Sequence, residues 1–492
     1  MGLIDKDLVS VQETRDLLKK AKEAQIEIAK LSQEEIDTIC KAMAKAAFDN
    51  RLKLAKMAQE ETGFGKWQDK VLKNAFASRD LLNSIKDMKT VGIITNNREA
   101  KYMEVAVPVG VVAGLIPSTN PTSTVIYKAL ISIKAGNAIV FSPHPSALNC
   151  IKETVRIINE AGKSVGLPDG AISVITTITT QATNELMKNE NTKLILATGG
   201  SAMVRAAYSS GTPAIGVGPG NGPAFIERSA DIPKAVELIL ESKTFDNGTI
   251  CASEQSIIVE EISREKVISE FKKQGGYFLS KNDALKLEKY ILRPNGTMNP
   301  KIVGRTAQAI AELAGISVPE DAKVLIAEET RVGDLAPFSR EKLTPILAFY
   351  TVNTWDEARD LSIKILNFEG AGHTMVIHTA NNKIVEDFAL KVPVSRLLIN
   401  CSATLGGIGA TTNLRPALTL GCGAIGGSST SDNVGPQNLF NLRRVVYGVR
   451  TLDEIRGEDR FEDSNGKAVE DLGLNKDQLI DLLVERVLQK LK

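Results

Sequence analysis

Between residues 110 and 200 the chain alternates short apolar runs with helical patterns. The apolar runs have the length of buried strands and lie at residues 111–116, 137–141, 171–176 and 194–197. A second block, residues 230–427, contains further runs of this kind at residues 256–259, 323–327, 346–350, 374–378 and 397–400. Strands that alternate with helices form a parallel sheet with helices on both faces. The sequence therefore predicts the α/β class, with two α/β blocks.

Composition limits the classes of function that remain. The chain has 492 residues, with 60 Lys and Arg against 59 Asp and Glu, so its formal charge is +1. That balance argues against a nucleic-acid binder with a basic surface and against a polybasic membrane patch. No apolar run approaches the roughly 18 residues of a membrane span. Five cysteines without CxxC spacing and three scattered histidines indicate a reducing, cytoplasmic compartment and no metal site.

Two capping patterns predict where helices begin. Ser10 and Glu13 have the spacing of a capping box and open the first long helical region. Asn475 and Gln478 form a second N-cap pair, followed by an amphipathic helix at residues 474–492. The polar residues 457–473 before it predict a linker.

Cys251 is the first candidate for chemistry. It lies in the segment FDNGTICASEQS, residues 245–256, between a polar glycine-containing loop and a β-rich run. A thiol in such a place can be activated by nearby dipoles, because the thiolate is the nucleophilic form. A buried structural cysteine is the alternative interpretation.

Two kinds of turn follow strands in the first block. Asn120, in IPSTNPT, follows the strand at 111–116, where open α/β sheets bind ligands, and its amide N–H suits an oxyanion. The alternative is a turn-forming Asn-Pro pair. Glycine turns at residues 198–201 and 216–221 suit a phosphate at a helix N-terminus, or are simply tight turns.

Eight segments, in their order along the chain and in their amino-acid sequences, resemble those of the CoA-acylating branch of the aldehyde dehydrogenase superfamily. The resemblance covers about residues 9–450 and is strongest to the aldehyde dehydrogenase half of bifunctional aldehyde-alcohol dehydrogenases and to stand-alone acetaldehyde and propionaldehyde dehydrogenases. The matching segments are IPSTNPTSTVIYKAL, FSPHP, ATGGSAMV, GVGPGNGP, FDNGTICASEQS, EKLTPIL, EGAGHT and LTLGCG.

The resemblance implies an aldehyde dehydrogenase-like fold with a bridging β element. Residues 1–229 would form a Rossmann-type NAD-binding domain, with a bridging hairpin at about 89–107, and residues 230–427 the catalytic domain. Residues 428–456 would return to the bridging element through a strand at 444–449. In this superfamily that element adds a strand to a neighbour's sheet, so a homodimer or homotetramer is expected.

The resemblance also implies the roles of the catalytic residues. Cys251 would attack the aldehyde to give a thiohemiacetal, whose oxyanion Asn120 and the Cys251 backbone N–H would hold. Hydride transfer to NAD would leave an acyl-thioester on Cys251, and coenzyme A would take the acyl group. The expected substrate is acetaldehyde or propionaldehyde, and the reaction is expected to be reversible.

Further residues match the family's cofactor site. Glu341 corresponds to the glutamate that binds the nicotinamide ribose, and Ser142 to a position, usually lysine in hydrolytic members, that faces the adenine ribose. The other residues expected at the cofactor are Pro143, Thr198, Gly199, Gly200, Ser201 and Gly218.

One departure from the hydrolytic relatives bears on the product. Those enzymes activate water with a glutamate in an ELGGK-like motif, whereas the equivalent residues here, 215–221, contain no carboxylate. Without a positioned base, hydrolysis of the thioester is expected to be slow, which favours transfer to coenzyme A. A hydrolytic enzyme that releases the free acid is the alternative.

Three other residues are candidates near the substrate. His373, in GAGHT, is expected either to assist the coenzyme A thiol or only to orient its loop. Thr119 is expected to contact the aldehyde. Arg415 borders the aldehyde tunnel in related enzymes and either recognises an anionic aldehyde, such as succinate semialdehyde or sulfoacetaldehyde, or is simply exposed.

The C-terminal helix resembles an encapsulation peptide, a short amphipathic helix that directs enzymes into bacterial microcompartments. The resemblance predicts a shell or cargo partner and a location in the cytoplasm, inside such a compartment. The alternative is a helix docked on its own protomer or on a sister subunit. A scaffold with a lapsed site is a further alternative, which an intact Cys251 and Asn120 argue against.

Overall fold

The computed structural model describes residues 5–458 and 475–491. Within them the chain forms two units, one of residues up to 94 and 105–443, the other of residues 95–104 and those from 444 onward. Most of the predicted linker, 457–473, lies outside the described residues. In the part of the chain that the structure describes, no helix combines the length and apolar character needed to cross a membrane.

The α-helices occur along the whole chain and are joined by short loops. In chain order they are α1 (Lys6–Ile28), α2 (Gln33–Asp49), α3 (Arg51–Thr62), α4 (Trp67–Ala75), α5 (Leu81–Ile85), α6 (Pro121–Lys134), α7 (Leu148–Lys163), α8 (Thr180–Lys188), α9 (Ser201–Tyr208), α10 (Ile232–Thr244), α11 (Glu261–Gln274), α12 (Lys281–Ile291), α13 (Ala307–Leu313), α14 (Trp355–Phe368), α15 (Asn382–Lys391), α16 (Ala403–Gly407), α17 (Leu452–Glu458) and α18 (Lys476–Lys490). A π-helical turn, Phe76–Asp80, joins α4 to α5.

The strands form three sheets. In chain order they are β1 (Gly92–Asn97), β2 (Tyr102–Pro108), β3 (Val111–Leu115), β4 (Ala138–Ser142), β5 (Ile172–Val174), β6 (Thr192–Ala197), β7 (Ala214–Gly216), β8 (Gly222–Ile226), β9 (Glu254–Glu260), β10 (Gly276–Phe278), β11 (Val324–Glu328), β12 (Ile346–Val352), β13 (Gly372–His378), β14 (Val394–Ile399) and β15 (Phe440–Val446). A five-stranded sheet has the order β5-β4-β3-β6-β7, a seven-stranded sheet β10-β11-β12-β9-β8-β13-β14, and a three-stranded sheet β1-β2-β15.

The two larger sheets are parallel throughout, which confirms the predicted α/β class. Each apolar run that predicted a strand overlaps an observed strand. The division between the sheets falls earlier than residue 229, because β8 pairs with β9 and β13 in the seven-stranded sheet.

The prediction for the first helix start is wrong. Helix α1 begins at Lys6, and the Asp5 carboxylate caps it by accepting hydrogen bonds from the N–H groups of Asp7 and Leu8. Ser10 therefore lies inside the helix, where its hydroxyl donates to the Asp7 carbonyl. The Glu13 carboxylate accepts instead from the loop at 176–177. The Asn475–Gln478 capping box of α18 is confirmed.

The strand order of the five-stranded sheet creates an edge at which a ligand can bind. The chain passes from β3 to β4 on one side and returns to β6 on the other, so the strand order reverses between β3 and β6. Ligands bind at the carboxyl ends of the strands at such a point. Lys128 of α6 spans this pair, since its buried ammonium donates to the carbonyls of Leu115 and Leu196, both at 2.7 Å.

Candidate active site

A cavity of about 570 Å³ collects most of the residues that the sequence singled out. One part of its wall follows the carboxyl ends of β3 and β6, and another part precedes the amino ends of β8, β9 and β12. The predicted site residues that line it are Thr119, Asn120, Thr198, Gly199, Gly200, Gly218, Cys251 and Glu341. A candidate nucleophile, a candidate oxyanion donor and a turn suited to bind a phosphate therefore share one cavity.

A strained loop carries Cys251 to the cavity wall. Asp246 and Asn247 have φ of 49° and 53°, the left-handed region that costs free energy for residues with a β-carbon. Asn247 is held there because its amide donates to the Gly304 carbonyl at 2.9 Å. The chain then places half-buried Cys251 just before strand β9. The loop is therefore fixed by contacts from outside itself.

The Cys251 thiol is protonated in this arrangement. Burial raises its pKa to about 12, and the nearby Glu341 and Cys422 add to that rise. Because the thiolate is the nucleophile, the thiol proton has to leave before Cys251 can attack a carbonyl.

Asn120 is held at both ends of its carboxamide. Its Oδ1 accepts a hydrogen bond from Lys73 Nζ at 2.6 Å, and its Nδ2 donates to the carbonyl of Thr249 at 2.9 Å. Thr249 lies two residues before Cys251 in the same loop. The amide donor and the nucleophile are thereby tied to one segment of backbone.

A buried ion cluster lies beneath this pair, and the sequence analysis missed it. Lys70 and Lys73 of α4 both donate to Asp246 Oδ2, at 2.9 and 2.5 Å, and both lysines are 2% exposed. Burial raises the pKa of Asp246, but Lys73 and Lys70 outweigh it and hold that pKa below the usual value. In the sequence, the only local indication of this cluster was Asp246, an acidic residue five positions before Cys251. Lys70 and Lys73 are not distinguished in the sequence from lysines on the exposed face of a helix.

Glu341 is the one carboxylic acid among the described residues that line the cavity. Its Oε1 accepts a hydrogen bond from the Gly220 N–H at 2.9 Å. Burial raises the pKa of Glu341 to about 8, and the neighbouring Glu369 contributes to the rise. Glu341 is therefore protonated over most of the neutral pH range.

The turn after β6 has room for a phosphate group. Gly200 is the N-cap of α9 and offers no side-chain cap, so the first N–H groups of that helix are open to a ligand. A β-carbon on Gly200 would meet nothing within 4 Å, and the buried Thr198 hydroxyl has no hydrogen-bond partner. These features fit the pyrophosphate of a dinucleotide at a helix N-terminus.

Other predicted residues lie outside this cavity. Ser142 ends β4, and its hydroxyl hydrogen-bonds the Thr183 hydroxyl at 2.9 Å. Pro143 and Ser201 are likewise absent from the cavity wall. Arg415 lines a separate cavity beside Arg396. The structure therefore gives Arg415 no contact with the space around Cys251.

His373 is buried at the start of β13 and does not line the cavity. Its Nδ1 lies 3.0 Å from the Thr374 hydroxyl, and its Nε2 has no partner. Burial lowers the pKa of His373 to about 3, and the cationic Arg396 contributes. The imidazole is consequently neutral at physiological pH.

Comparison with known proteins identifies a family for this chain. The model of the aldehyde dehydrogenase family matches residues 6–410. A crystal structure of a probable aldehyde dehydrogenase from Listeria monocytogenes EGD-e is 67% identical, with a TM-score of 0.91, and the match covers 92% of this chain and 100% of that one. An acetylating aldehyde dehydrogenase from Geobacillus thermoglucosidasius is 56% identical, with a TM-score of 0.90, over 92% and 99% of the two chains.

A curated relative is longer than this chain. The bifunctional aldehyde-alcohol dehydrogenase AdhE of Escherichia coli strain K12 is 45% identical over 444 residues, which are 89% of this chain. The match covers 50% of that relative, so the chain spans about half the length of the bifunctional proteins it resembles.

Proposed function

Because the chain belongs to the aldehyde dehydrogenase family, we propose that it oxidises a short-chain aldehyde reversibly to an acyl-CoA. The observation that carries the proposal is that Cys251 and Asn120 line one cavity. Residues 217–219 also line it, at the position where hydrolytic relatives have the motif with the water-activating glutamate, and they contain no carboxylate. The proposed substrates are the aldehyde, a nicotinamide dinucleotide and coenzyme A.

The first step is addition of Cys251 to the carbonyl carbon. The thiol gives up its proton to solvent, the Sγ–C bond forms as the carbonyl π bond opens, and the aldehyde oxygen becomes an oxyanion. Asn120 Nδ2 donates one hydrogen to the Thr249 carbonyl at 2.9 Å, and its second hydrogen makes only a long contact of 3.4 Å with the Thr119 hydroxyl. That second hydrogen, turned from Thr119 to the substrate, and the Cys251 backbone N–H are the proposed oxyanion donors.

The chain's own residues hold the cofactor in this scheme. When bound, a nicotinamide dinucleotide supplies the hydride acceptor for the thiohemiacetal. The turn of Thr198 and Gly200 would bind the pyrophosphate, and Glu341 the hydroxyls of the nicotinamide ribose. We propose NAD over NADP because Ser142, at the end of β4, offers no cation for a ribose 2′-phosphate.

We propose that the acyl-thioester on Cys251 is not hydrolysed and persists until coenzyme A reacts with it. Glu341 is the one lining carboxyl group in the described residues, but it is engaged by Gly220 and has a pKa raised by burial to about 8. A protonated carboxyl group cannot activate water as a base. His373 is proposed to orient Thr374, because its Nδ1 faces the Thr374 hydroxyl and its ring lies outside the cavity wall.

The wall of the cavity favours a small, uncharged aldehyde, so acetaldehyde or propionaldehyde is the proposed substrate. Its apolar members include Phe64, Leu343, Ile408, Leu418 and Leu420. A second candidate is an anionic aldehyde such as succinate semialdehyde or sulfoacetaldehyde, which exposed Arg293 at the cavity would favour.

A substrate panel tests this choice. The enzyme is assayed with neutral and anionic aldehydes, coenzyme A, and either NAD or NADP. The proposal predicts the highest kcat/KM for acetaldehyde or propionaldehyde with NAD, and little change in R293A. Preference for an anionic aldehyde that R293A abolishes would establish the second candidate instead.

We propose assembly roles for the two elements outside the active-site sheets. The three-stranded sheet would join subunits into a homodimer or homotetramer, and α18 would dock on a microcompartment shell or cargo protein. Support comes from the exposed apolar face of α18, formed by Ile480, Val484, Val487 and Leu491. Fusion of residues 473–492 to a fluorescent protein, expressed with shell proteins, tests the second role: puncta support it, and diffuse fluorescence contradicts it.

A further inference from the structure

Lys73 makes contacts that its neighbour Lys70 does not. Both ammonium groups are buried and donate to the same oxygen of Asp246. Lys73 Nζ also donates to Asn120 Oδ1 at 2.6 Å and lies at the cavity wall, whereas Lys70 Nζ donates to the Thr119 carbonyl at 2.9 Å. The two lysines thus share an ion cluster but hold different groups.

The Lys73 contact decides which way the Asn120 carboxamide faces. A carboxamide is nearly symmetric in shape, but one end accepts hydrogen bonds and the other donates. A lysine ammonium has donors only, so the end that faces Lys73 has to be Oδ1. Nδ2 is thereby directed to the Thr249 carbonyl, beside the nucleophile loop.

The anion of Asp246 keeps the ammonium in place. Burial, with a contribution from Lys70, lowers the pKa of Lys73 to about 8 even though Asp246 raises it. The same Asp246 carboxylate accepts from the Thr249 hydroxyl at 2.8 Å and from the Lys66 N–H at 2.7 Å. One buried carboxylate therefore fixes both the lysine and the backbone that carries Cys251.

We propose that Lys73 is a positioning residue for the oxyanion site: it orients and polarises the Asn120 carboxamide so that Nδ2 presents its second hydrogen to the reacting oxygen. Asp246 holds Lys73 in that position. In the resting structure the second Nδ2 hydrogen makes only the long 3.4 Å contact with the Thr119 hydroxyl. This inference rests on the proposed function, because it assigns a task within the same reaction.

The test measures the first turnover. Enzyme is mixed with NAD and saturating aldehyde without coenzyme A, and the rate constant of the NADH burst is recorded for wild type, N120A, K73M and K73M/N120A. Loss of one oxyanion donor lowers such rates about 100-fold or more. We expect K73M to lose about as much as N120A, and the double variant to lose no more than N120A alone.

K70M is the matched control, because it removes a buried cation from the same Asp246 and a hydrogen bond to the main-chain carbonyl of Thr119, but leaves the Lys73 contact with the Asn120 carboxamide in place. It should be destabilised about as much as K73M in thermal unfolding, yet its burst rate should stay within about threefold of wild type. Alkylation of Cys251 by iodoacetamide should be similar in K73M and wild type, because the pKa of the thiol is set mainly by burial and by Glu341 and Lys70 still holds Asp246. A general disturbance of the loop would slow both reactions.

The outcomes separate this inference from the proposed function. Absence of a burst in the wild-type enzyme with every aldehyde and either cofactor would contradict the proposed function itself. A wild-type burst that K73M retains, or that K70M loses equally, would overturn the role of Lys73 alone. If K73M fails to fold, K73M/D246N is compared with K70M/D246N, since neither leaves an unpaired buried carboxylate, and the same difference in burst rate is expected.

Discussion

The backbone carbonyl of Cys251 occupies the space that a β-carbon on Gly220 would need, since the two atoms would be 1.7 Å apart. Gly220 also donates its N–H to Glu341 at 2.9 Å. A residue with no side chain thus lies between the nucleophile and the one carboxylic acid that lines this cavity in the described chain. The requirement for glycine here is steric.

Substitution of Gly220 by alanine should displace the Cys251 backbone. The clash is with main chain, which cannot rotate away, so we expect a loss of about 3 kcal/mol of unfolding free energy and little remaining activity. Urea unfolding and the NADH burst measure the two effects. G218A is the control for stability, because a β-carbon there would lie 3.8 Å from its nearest neighbour, an ordinary contact. Equal stability of G220A and wild type would contradict the packing described.

The reactivity of Cys251 should depend steeply on pH. Because burial raises its pKa to about 12, the thiolate fraction, and with it the alkylation rate, should keep climbing from pH 7 to 10 without levelling. The rise should be about tenfold per pH unit, and smaller only near pH 8, where Glu341 ionises. Peptide mapping after iodoacetamide treatment assigns the signal to Cys251 and separates it from half-buried Cys401. A plateau near pH 8 would show a thiol whose pKa is not raised.

Removal of the Glu341 charge should accelerate that alkylation only in alkaline solution. Below its pKa of about 8 the carboxyl group is neutral and has little effect, whereas above it the carboxylate opposes the Cys251 thiolate. E341Q should therefore match wild type at pH 7 and react about threefold faster or more at pH 9. E312Q, an exposed substitution on α13, serves as the control. A difference at pH 7 equal to that at pH 9 would contradict this account.

The sequence predicted the sheets well where a strand is a plain apolar run. The run at 111–116 became Val111–Leu115, and the run at 346–350 became Ile346–Val352. Strand β8 went undetected because it opens with Gly222 and Pro223, residues that usually punctuate strands. Its pairing with β9 and β13 is long-range, so local pattern carried no sign of it.

The site was predicted through resemblance more than through local chemistry. Cys251 and Asn120 are far apart in sequence, and motif order, not spacing, indicated that they share a site. The Lys73–Asp246 contact could not be foreseen, because a lysine on an amphipathic helix usually lies at the surface. Ser142 and His373 match family motifs, yet their side chains lie outside the cavity wall, since a motif fixes a position in the fold without fixing what the side chain contacts.

The requirement for coenzyme A tests the central claim most directly. The wild-type enzyme is incubated with NAD and acetaldehyde or propionaldehyde, with and without coenzyme A, and both NADH and the mass of the Cys251 peptide are followed. The account predicts one equivalent of NADH and an acylated Cys251 without coenzyme A, and continuous turnover to acyl-CoA only when it is added. Steady NADH production and free acid without coenzyme A would contradict it.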